Sequence, residues 1–293
     1  MPLHIEPSGE ACGATVTGVD LTAELDPAVV AAVRSAWLDH HVLAFPEQRL
    51  SADELERFVR YFGPFGHDPF FGSIDGHPHI AAIHRSAEET GSIFAENWHA
   101  DWSFQPHPPD GTCLYGKVIP PDGGDTLFID QEAALAAMPA ERRQALRGLR
   151  AIHSARNSYA PSGLYGEADE ATERAMDIVV SDEAYQTHVH DLIRVHPETG
   201  RETLYSTIGY IIGIEGMDQA DADALLRDLY HWQTRPEFQY RHRWAPDMLV
   251  MWDNRCVLHK ATGGYDGHER LLYRITIGFN PEAEGDRLVA AAS

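Results

Sequence analysis

Cysteine is scarce in this chain and forms no pattern. Cys12, Cys113 and Cys256 are far apart, and none belongs to a CxxC pair. An odd number of scattered thiols argues against a disulfide framework or a thiolate zinc site and fits a reducing compartment. Basic residues are also few, with 23 Lys and Arg against 45 Asp and Glu and a net charge of -22. A surface of that sign repels phosphate backbones and anionic lipid, so neither nucleic acid nor a membrane is expected as partner. No apolar run approaches a membrane span, and the opening MPLHIEPSGEACG lacks the basic and apolar regions of a secretion signal. Internal repeats and low-complexity linkers are missing, and no glycine-rich phosphate loop follows an expected strand, which disfavours a βαβ nucleotide fold. What remains is a 293-residue chain, 43% hydrophobic and 23% charged, the make-up of a globular enzyme expected in the cytoplasm.

The opening reads as short strands and turns. Pro27 then starts a helix expected over 27–39, and the run Val42–Phe45 reads as a buried strand. Ser51 with Glu54 has the form of a capping box opening a second helix that ends near Gly63. Residues 64–78, rich in Gly, Pro and Phe, are expected to be loop. TCLYGKVI, PPDGG and DTLFI follow as strand, turn and strand, and 131–149 is helical with a restart at Pro139. The interval 153–182 is polar and weakly periodic. ETLYST reads as a strand, 218–234 as an amphipathic helix, and EFQYRHRW, DMLVMWD and LLYRITIGF as three closing strands. The chain is expected to form a single domain over 1–293, with 281–293 a loose tail. Short strands flanking helical insertions point to a mainly β fold, a barrel or double-stranded β-helix decorated with helices.

Seventeen histidines make imidazole and carboxylate the natural metal ligands, a donor set that suits Fe(II), Mn(II) or Zn(II). His99 and Asp101 form a His-x-Asp pair in NWHADWSF. On an extended chain both side chains share a face, and Trp98, Ala100 and Trp102 back them from the other. The spacing alone decides nothing, because about two or three His-x-acid pairs arise by chance in this composition and three occur, at His4, His99 and His196. Context favours the His99 pair, which sits between a loop and strands. A third ligand has several candidates: His259 in WDNRCVLHKA, His188 with His190, and His67 in the first long loop. In the last strand, Arg270, Leu272, Arg274 and Thr276 share one face. Alternation by itself would turn that face to solvent. An anion site requires it to turn inward.

Taken together, NWHADWSF, PPDGGDTLF, WDNRCVLHKA and HERLLYRITI resemble the TauD/TfdA family of Fe(II)- and 2-oxoglutarate-dependent dioxygenases, in order and interval. The matching runs extend from GATVTGVDLT to the last strand. The resemblance implies a double-stranded β-helix (jelly-roll, cupin-like) core. It implies His99, Asp101 and His259 as the ligands of iron, with the remaining positions left for 2-oxoglutarate and O2. It further implies Thr126 and Arg270 on the distal carboxylate of 2-oxoglutarate. Arg274 would lie near the metal end, against the 1-carboxylate or an anionic group of the substrate. The implied reaction hydroxylates an unactivated C–H bond and releases succinate and CO2, with C–S or C–O cleavage when the new hydroxyl sits beside a heteroatom. The same ligands would serve a desaturase, whereas a non-redox metal-binding β-helix protein would need no 2-oxoglutarate site.

Taurine-specific members use a His and an Asn around their substrate, and the corresponding places here hold Asp68 and Ala95. Loss of both donors argues against taurine. Ser158, Tyr159 and Tyr210 match pocket-lining positions, and Phe70, Phe71 and Phe94 add apolar walls. The expected partner is therefore a small anionic molecule with a hydrophobic or aromatic body. The resemblance also implies self-association.

Overall fold

The computed structural model describes residues 2–167, 169 and 173–280. The tail expected over 281–293 lies outside the described residues. Strands β1 (His4–Pro7) and β2 (Ala14–Thr17) lead into helix α1 (Pro27–His40), then β3 (Val42–Phe45) and α2 (Ala52–Arg60). Both helices begin as their sequences require. Asp26 accepts from the Ala28 N–H with Pro27 at the first turn, and Ser51 and Glu54 cap each other's backbone N–H groups reciprocally. Strands β4 (Ser73–Ile74), β5 (His77–Arg85), β6 (Gly111–Val118) and β7 (Thr126–Asp130) follow, then α3 (Gln131–Ala136) and α4 (Ala140–Leu146). The middle of the chain holds β8 (Arg150–Ser154), α5 (Arg156–Tyr159), β9 (Thr187–Asp191), β10 (Ile193–Val195), β11 (Glu202–Leu204) and β12 (Ile211–Ile214). It closes with α6 (Gln219–Gln233), β13 (Gln239–His242), β14 (Leu249–Asp253), β15 (Val257–Ala261) and β16 (Arg270–Ile277).

An eight-stranded sheet in the order β1-β2-β3-β14-β6-β16-β5-β4 faces a three-stranded sheet, β13-β7-β15. Between them, Val42, Leu114, Val250, Trp252 and Leu272 of the large sheet pack against Phe128, Tyr240 and Val257 of the small one. The large sheet is covered on its other face too. Ile275, Ile277, Leu43 and Met251 pack there against Trp37 of α1 and Leu55, Phe58 and Val59 of α2. Both faces of β16 are therefore withdrawn from water, and its alternation separates two interiors rather than core from solvent.

The structure revises two local expectations. The segment 64–78 is not wholly loop, since β4 and the start of β5 fall within it. His259 lies inside β15, where it pairs across from Phe128. The chain after His99 is not extended: residues 101–104 form a turn, and Trp102 has φ 47°. Trp98 and Ala100 back the motif as expected, among Ile129, Tyr205 and Leu258. The left-handed residue swings Trp102 the other way, into a cluster with Phe70, Phe104 and Tyr159.

Three histidines away from that motif, His153 and His242 buried and His190 half-buried, make acid stability predictable. Burial pushes His190 and His242 down to about 4 and His153 well below its ordinary value. Below pH 6.5 the unfolded chain takes up protons that these folded rings refuse, so stability falls with pH through the window from 6.5 to about 4. Asp110 opposes this, because burial raises its carboxyl to about 6 and the folded state gains protons there. At about 1.4 kcal/mol per unit and group, His190 and His242 less Asp110 should cost on the order of 3 kcal/mol between pH 7 and 4.5, and His153 with the two imidazoles of the motif adds to that loss. Urea unfolding at several pH values checks it, and a flat profile would refute neutral burial of these rings.

Candidate active site

The two sheets bring distant parts of the sequence to one point. His99 and His259 form an antiparallel bridge, with backbone N–H···O distances of 3.1 and 2.8 Å. Their ring centroids are 4.2 Å apart. Asp101 completes the group: its Oδ1 lies 3.8 Å from Nε2 of each histidine. That spacing is too long for a hydrogen bond and leaves room for an ion coordinated by all three. His99 Nδ1 lies 2.8 Å from the Asn97 carbonyl, which can only accept, so Nδ1 carries the proton and Nε2 presents its lone pair. The His259 ring is flanked by Trp252 at 4.6 Å.

Protonation favours metal binding. Burial holds both imidazoles neutral, lowering His99 and pushing His259 down to about 3. Burial alone would raise Asp101, but its neighbours, the Arg274 guanidinium first and the Thr112 hydroxyl among them, outweigh it and keep the carboxyl below its usual range. A chain of donors fixes the carboxylate: the Thr112 hydroxyl donates to Oδ2 at 2.6 Å, Asn254 Nδ2 donates to Thr112 at 2.9 Å, and Trp252 donates to Asn254 at 2.9 Å. Thr112 and Asn254 were not singled out by sequence. Only the pairing of β6 with β14 brings them beneath Asp101.

Thr126, Arg270 and Arg274 line the same cavity as the three candidate ligands, together with Phe71, Ala95, Tyr159 and Tyr210. The arginine face of β16 points inward. Arg270 is held by the PPDGG turn, donating from Nη2 to the Gly124 carbonyl at 3.0 Å. Glycine is required at 124, where φ is 67° and a Cβ would come within 3.0 Å of Arg270 Nε. Thr126 accepts from the Trp244 indole at 3.0 Å. Arg274 lies between two carboxylates, Nη1 2.7 Å from Asp68 Oδ1 and Nη2 3.2 Å from Asp101 Oδ1.

An outer hollow of about 300 Å³ adjoins this cavity and shares His99, Ala95, Phe94, Tyr159 and Tyr210 with it; Ser158 lies on its wall. Asn97, Asn157 and Ile208, absent from the sequence expectations, also border it. Phe71 and Phe94 meet edge to face at 5.6 Å. Phe70 turns away from the cavity and stacks on Tyr159 at 4.7 Å, so it supports the wall without forming it. Of the other histidines considered, His67 and His188 border a separate hollow of about 290 Å³, and His190 bonds the Gln105 carbonyl.

Comparison with known proteins places this arrangement. The family described as "Taurine catabolism dioxygenase TauD, TfdA family" matches residues 4–276. The chain is 36% identical to the (S)-phenoxypropionate/alpha-ketoglutarate-dioxygenase of Delftia acidovorans, over 98% of this chain and 99% of that enzyme. The crystal structure of a taurine dioxygenase from Burkholderia xenovorans superposes with a TM-score of 0.78 at 32% identity, covering 95% of this chain and 90% of that one. A second structure, AAD-2 in complex with Mn(II) and N-oxalylglycine, gives 0.75 at 26% identity, covering 96% and 98%. There Mn(II) and N-oxalylglycine stand in for ferrous ion and 2-oxoglutarate. The mainly β, jelly-roll architecture is shared with both. The chain belongs to the TauD/TfdA family of Fe(II)- and 2-oxoglutarate-dependent dioxygenases.

Proposed function

We propose that this enzyme hydroxylates an unactivated C–H bond of a small organic molecule, with His99, Asp101 and His259 as the iron ligands. The observation that carries the reading is the convergence of two neutral imidazoles and one ionised carboxylate in a cavity that also holds Arg270 and Thr126. Ferrous iron with 2-oxoglutarate and O2 supplies the oxidation, one oxygen atom entering succinate as CO2 leaves and the other entering the C–H bond. The protein's part is placement. Arg270 and Thr126 hold the distal carboxylate of 2-oxoglutarate, the guanidinium and hydroxyl providing donors at one end of the cavity. Burial lowers the affinity of Arg270 for its proton, yet an arginine stays charged and gains most from a carboxylate partner.

Phe71, Phe94, Tyr159 and Tyr210 enclose the substrate and exclude water from the reacting face. Burial pushes both phenols up, so they remain protonated hydrogen-bond donors. Those walls favour an aryl or alkyl body, and Ala95 with Ser158 leaves space beside it. A hydroxyl placed next to a heteroatom would release the product by C–O or C–S cleavage.

Anaerobic addition of Fe(II) and 2-oxoglutarate to the metal-free protein should give a weak visible charge-transfer band. Arg270→Leu should raise the 2-oxoglutarate concentration for half-maximal band about 100-fold, the loss of one buried charge-assisted pair. Substrate-dependent succinate release, with mass analysis of the product, then reads the reaction. One added oxygen or loss of a heteroatom group supports hydroxylation, and loss of two hydrogens would replace it with desaturation. Absence of the band, or an Arg270→Leu titration unchanged from wild type, would overturn the assignment.

A further inference from the structure

We propose that Trp244 is a positioning residue for the cosubstrate, holding the Thr126 hydroxyl so that its hydrogen points at the distal carboxylate of 2-oxoglutarate. The inference rests on the reading of Thr126 and Arg270 given above and adds to it a residue that does not itself line the cavity.

A hydroxyl has one hydrogen to give and two lone pairs to accept with, whereas an indole N–H can only donate. Trp244 Nε1 lies 3.0 Å from Thr126 Oγ1, so Thr126 is the acceptor in that bond and its own hydrogen is left for another partner. Among the described residues no protein group receives that hydrogen. The Thr126 side chain is buried and borders the cavity that Arg270 also lines. A buried donor without an acceptor is costly, and a carboxylate, which can only accept, is the group that satisfies it. Accepting from the indole also polarises the hydroxyl and strengthens the bond it donates.

The same indole stands beside the other half of the clamp. Its ring centroid is 6.0 Å from the Arg270 guanidinium carbon, and the Tyr265 ring is 5.8 Å from it. Trp244 therefore meets both groups assigned to the distal carboxylate. Its own seat is fixed by the fold. Strand β13 pairs with β7 so that His242 lies opposite Thr126, which brings the residues just after β13 alongside the hydroxyl. The His242 ring meets the indole edge to face at 4.9 Å, and the Tyr240 hydroxyl lies 3.1 Å from His242 Nδ1. Trp244 also packs against the core between the two sheets. Without the indole N–H, nothing on this side of Thr126 would keep its hydrogen turned to the cavity.

The test uses Trp244→Phe, which keeps an aromatic ring near Arg270 and removes the N–H. Affinity is read from the visible band as the anaerobic Fe(II) protein is titrated with 2-oxoglutarate or with 2-oxovalerate, which carries a methyl group in place of the distal carboxylate. Trp244→Phe should raise the half-saturating 2-oxoglutarate concentration about 5-fold and Thr126→Val about 10-fold, the size of a single hydrogen bond. With 2-oxovalerate both variants should match wild type within about 2-fold, because the bond removed is one this acid cannot make. General damage to the site would weaken both acids alike. The double variant should bind 2-oxoglutarate no more than about 2-fold worse than Thr126→Val, since the indole acts through the hydroxyl. A second measurement leaves position 244 intact. In Zn(II)-loaded wild type, the indole N–H resonance that Thr126→Val displaces should shift on addition of 2-oxoglutarate and stay in place with 2-oxovalerate. Wild-type affinity in Trp244→Phe, equal weakening for both acids, additive losses in the double variant, or an indole resonance indifferent to 2-oxoglutarate would each overturn the proposal. Wild-type affinity in Thr126→Val would remove Thr126 from the cosubstrate site, overturning that part of the reading above and the role of Trp244 with it.

Discussion

An Asp101→Ala variant is expected to bind ferrous iron at least 100-fold more weakly than wild type and to lose more than 1000-fold in turnover. The carboxylate is the anionic member of the candidate ligand set, and its Oδ1 stands 3.8 Å from both Nε2 atoms. Two neutral imidazoles left alone would hold a divalent ion with no compensating charge. Thr112→Val, which removes the 2.6 Å bond that orients the carboxylate, should cost about 10–100-fold in iron affinity, the usual range for an outer-shell partner. The two effects belong in one experiment. Anaerobic ferrous titration in the presence of 2-oxoglutarate reads affinity, and oxygen consumption reads turnover. Stability should barely suffer in Asp101→Ala, since Arg274 keeps Asp68 as its ion partner at 2.7 Å. Near-normal iron affinity in Asp101→Ala would remove this residue from the metal site.

Several of these features were legible in the sequence because they depend on neighbours along the chain. The capping box at Ser51, the helix after Pro27 and the apolar run of β14 are local, and each stands where its residues place it. The face shared by Arg270, Leu272 and Arg274 was legible too, but not its direction. Alternation cannot tell a polar cavity from solvent when helices cover the opposite face. The start of β5 was hidden by His77 and Pro78, which read as loop although Ile74 of β4 pairs with His77 there. Trp102 shows a different failure. Its side follows from one left-handed residue, and nothing in NWHADWSF marks that φ. The Asp68–Arg274 pair joins residues whose contact depends on where a loop is pinned along β16. Sequence identified both residues without showing that they meet. The outer hollow was least legible, because Asn97 and Ile208 come from irregular segments and Asn157 from the single turn of α5, none long enough to show a periodicity.

The substitution with the largest expected effect on stability lies at the far end of β14. Asp253, wholly buried, accepts from Arg255 through Nε at 2.7 Å, through Nη2 at 2.6 Å and through the backbone N–H at 3.0 Å. His196 adds a contact of 3.0 Å. Arg255 also reaches Glu198 at 2.7 Å, and Arg34 holds that carboxylate from outside at 2.8 Å. This network secures the turn between β14 and β15, and so the strand that carries His259. Arg255→Met should destabilise the fold by about 3–5 kcal/mol in urea unfolding, because it leaves Asp253 charged and buried. Loss of packing over Trp37, 5.2 Å from the guanidinium, would also lower stability, and pH separates the two causes. Burial alone would raise the Asp253 carboxyl, but Arg255 and then His196 hold it far below the carboxylate range in wild type. Without Arg255 its folded pKa rises above the unfolded value, and protonation relieves the strain as pH falls toward 4. The gap between wild type and variant should therefore be widest near pH 7 and narrow in acid. A gap that stays constant with pH would assign the loss to packing on Trp37 and leave the ion network without a stabilising role.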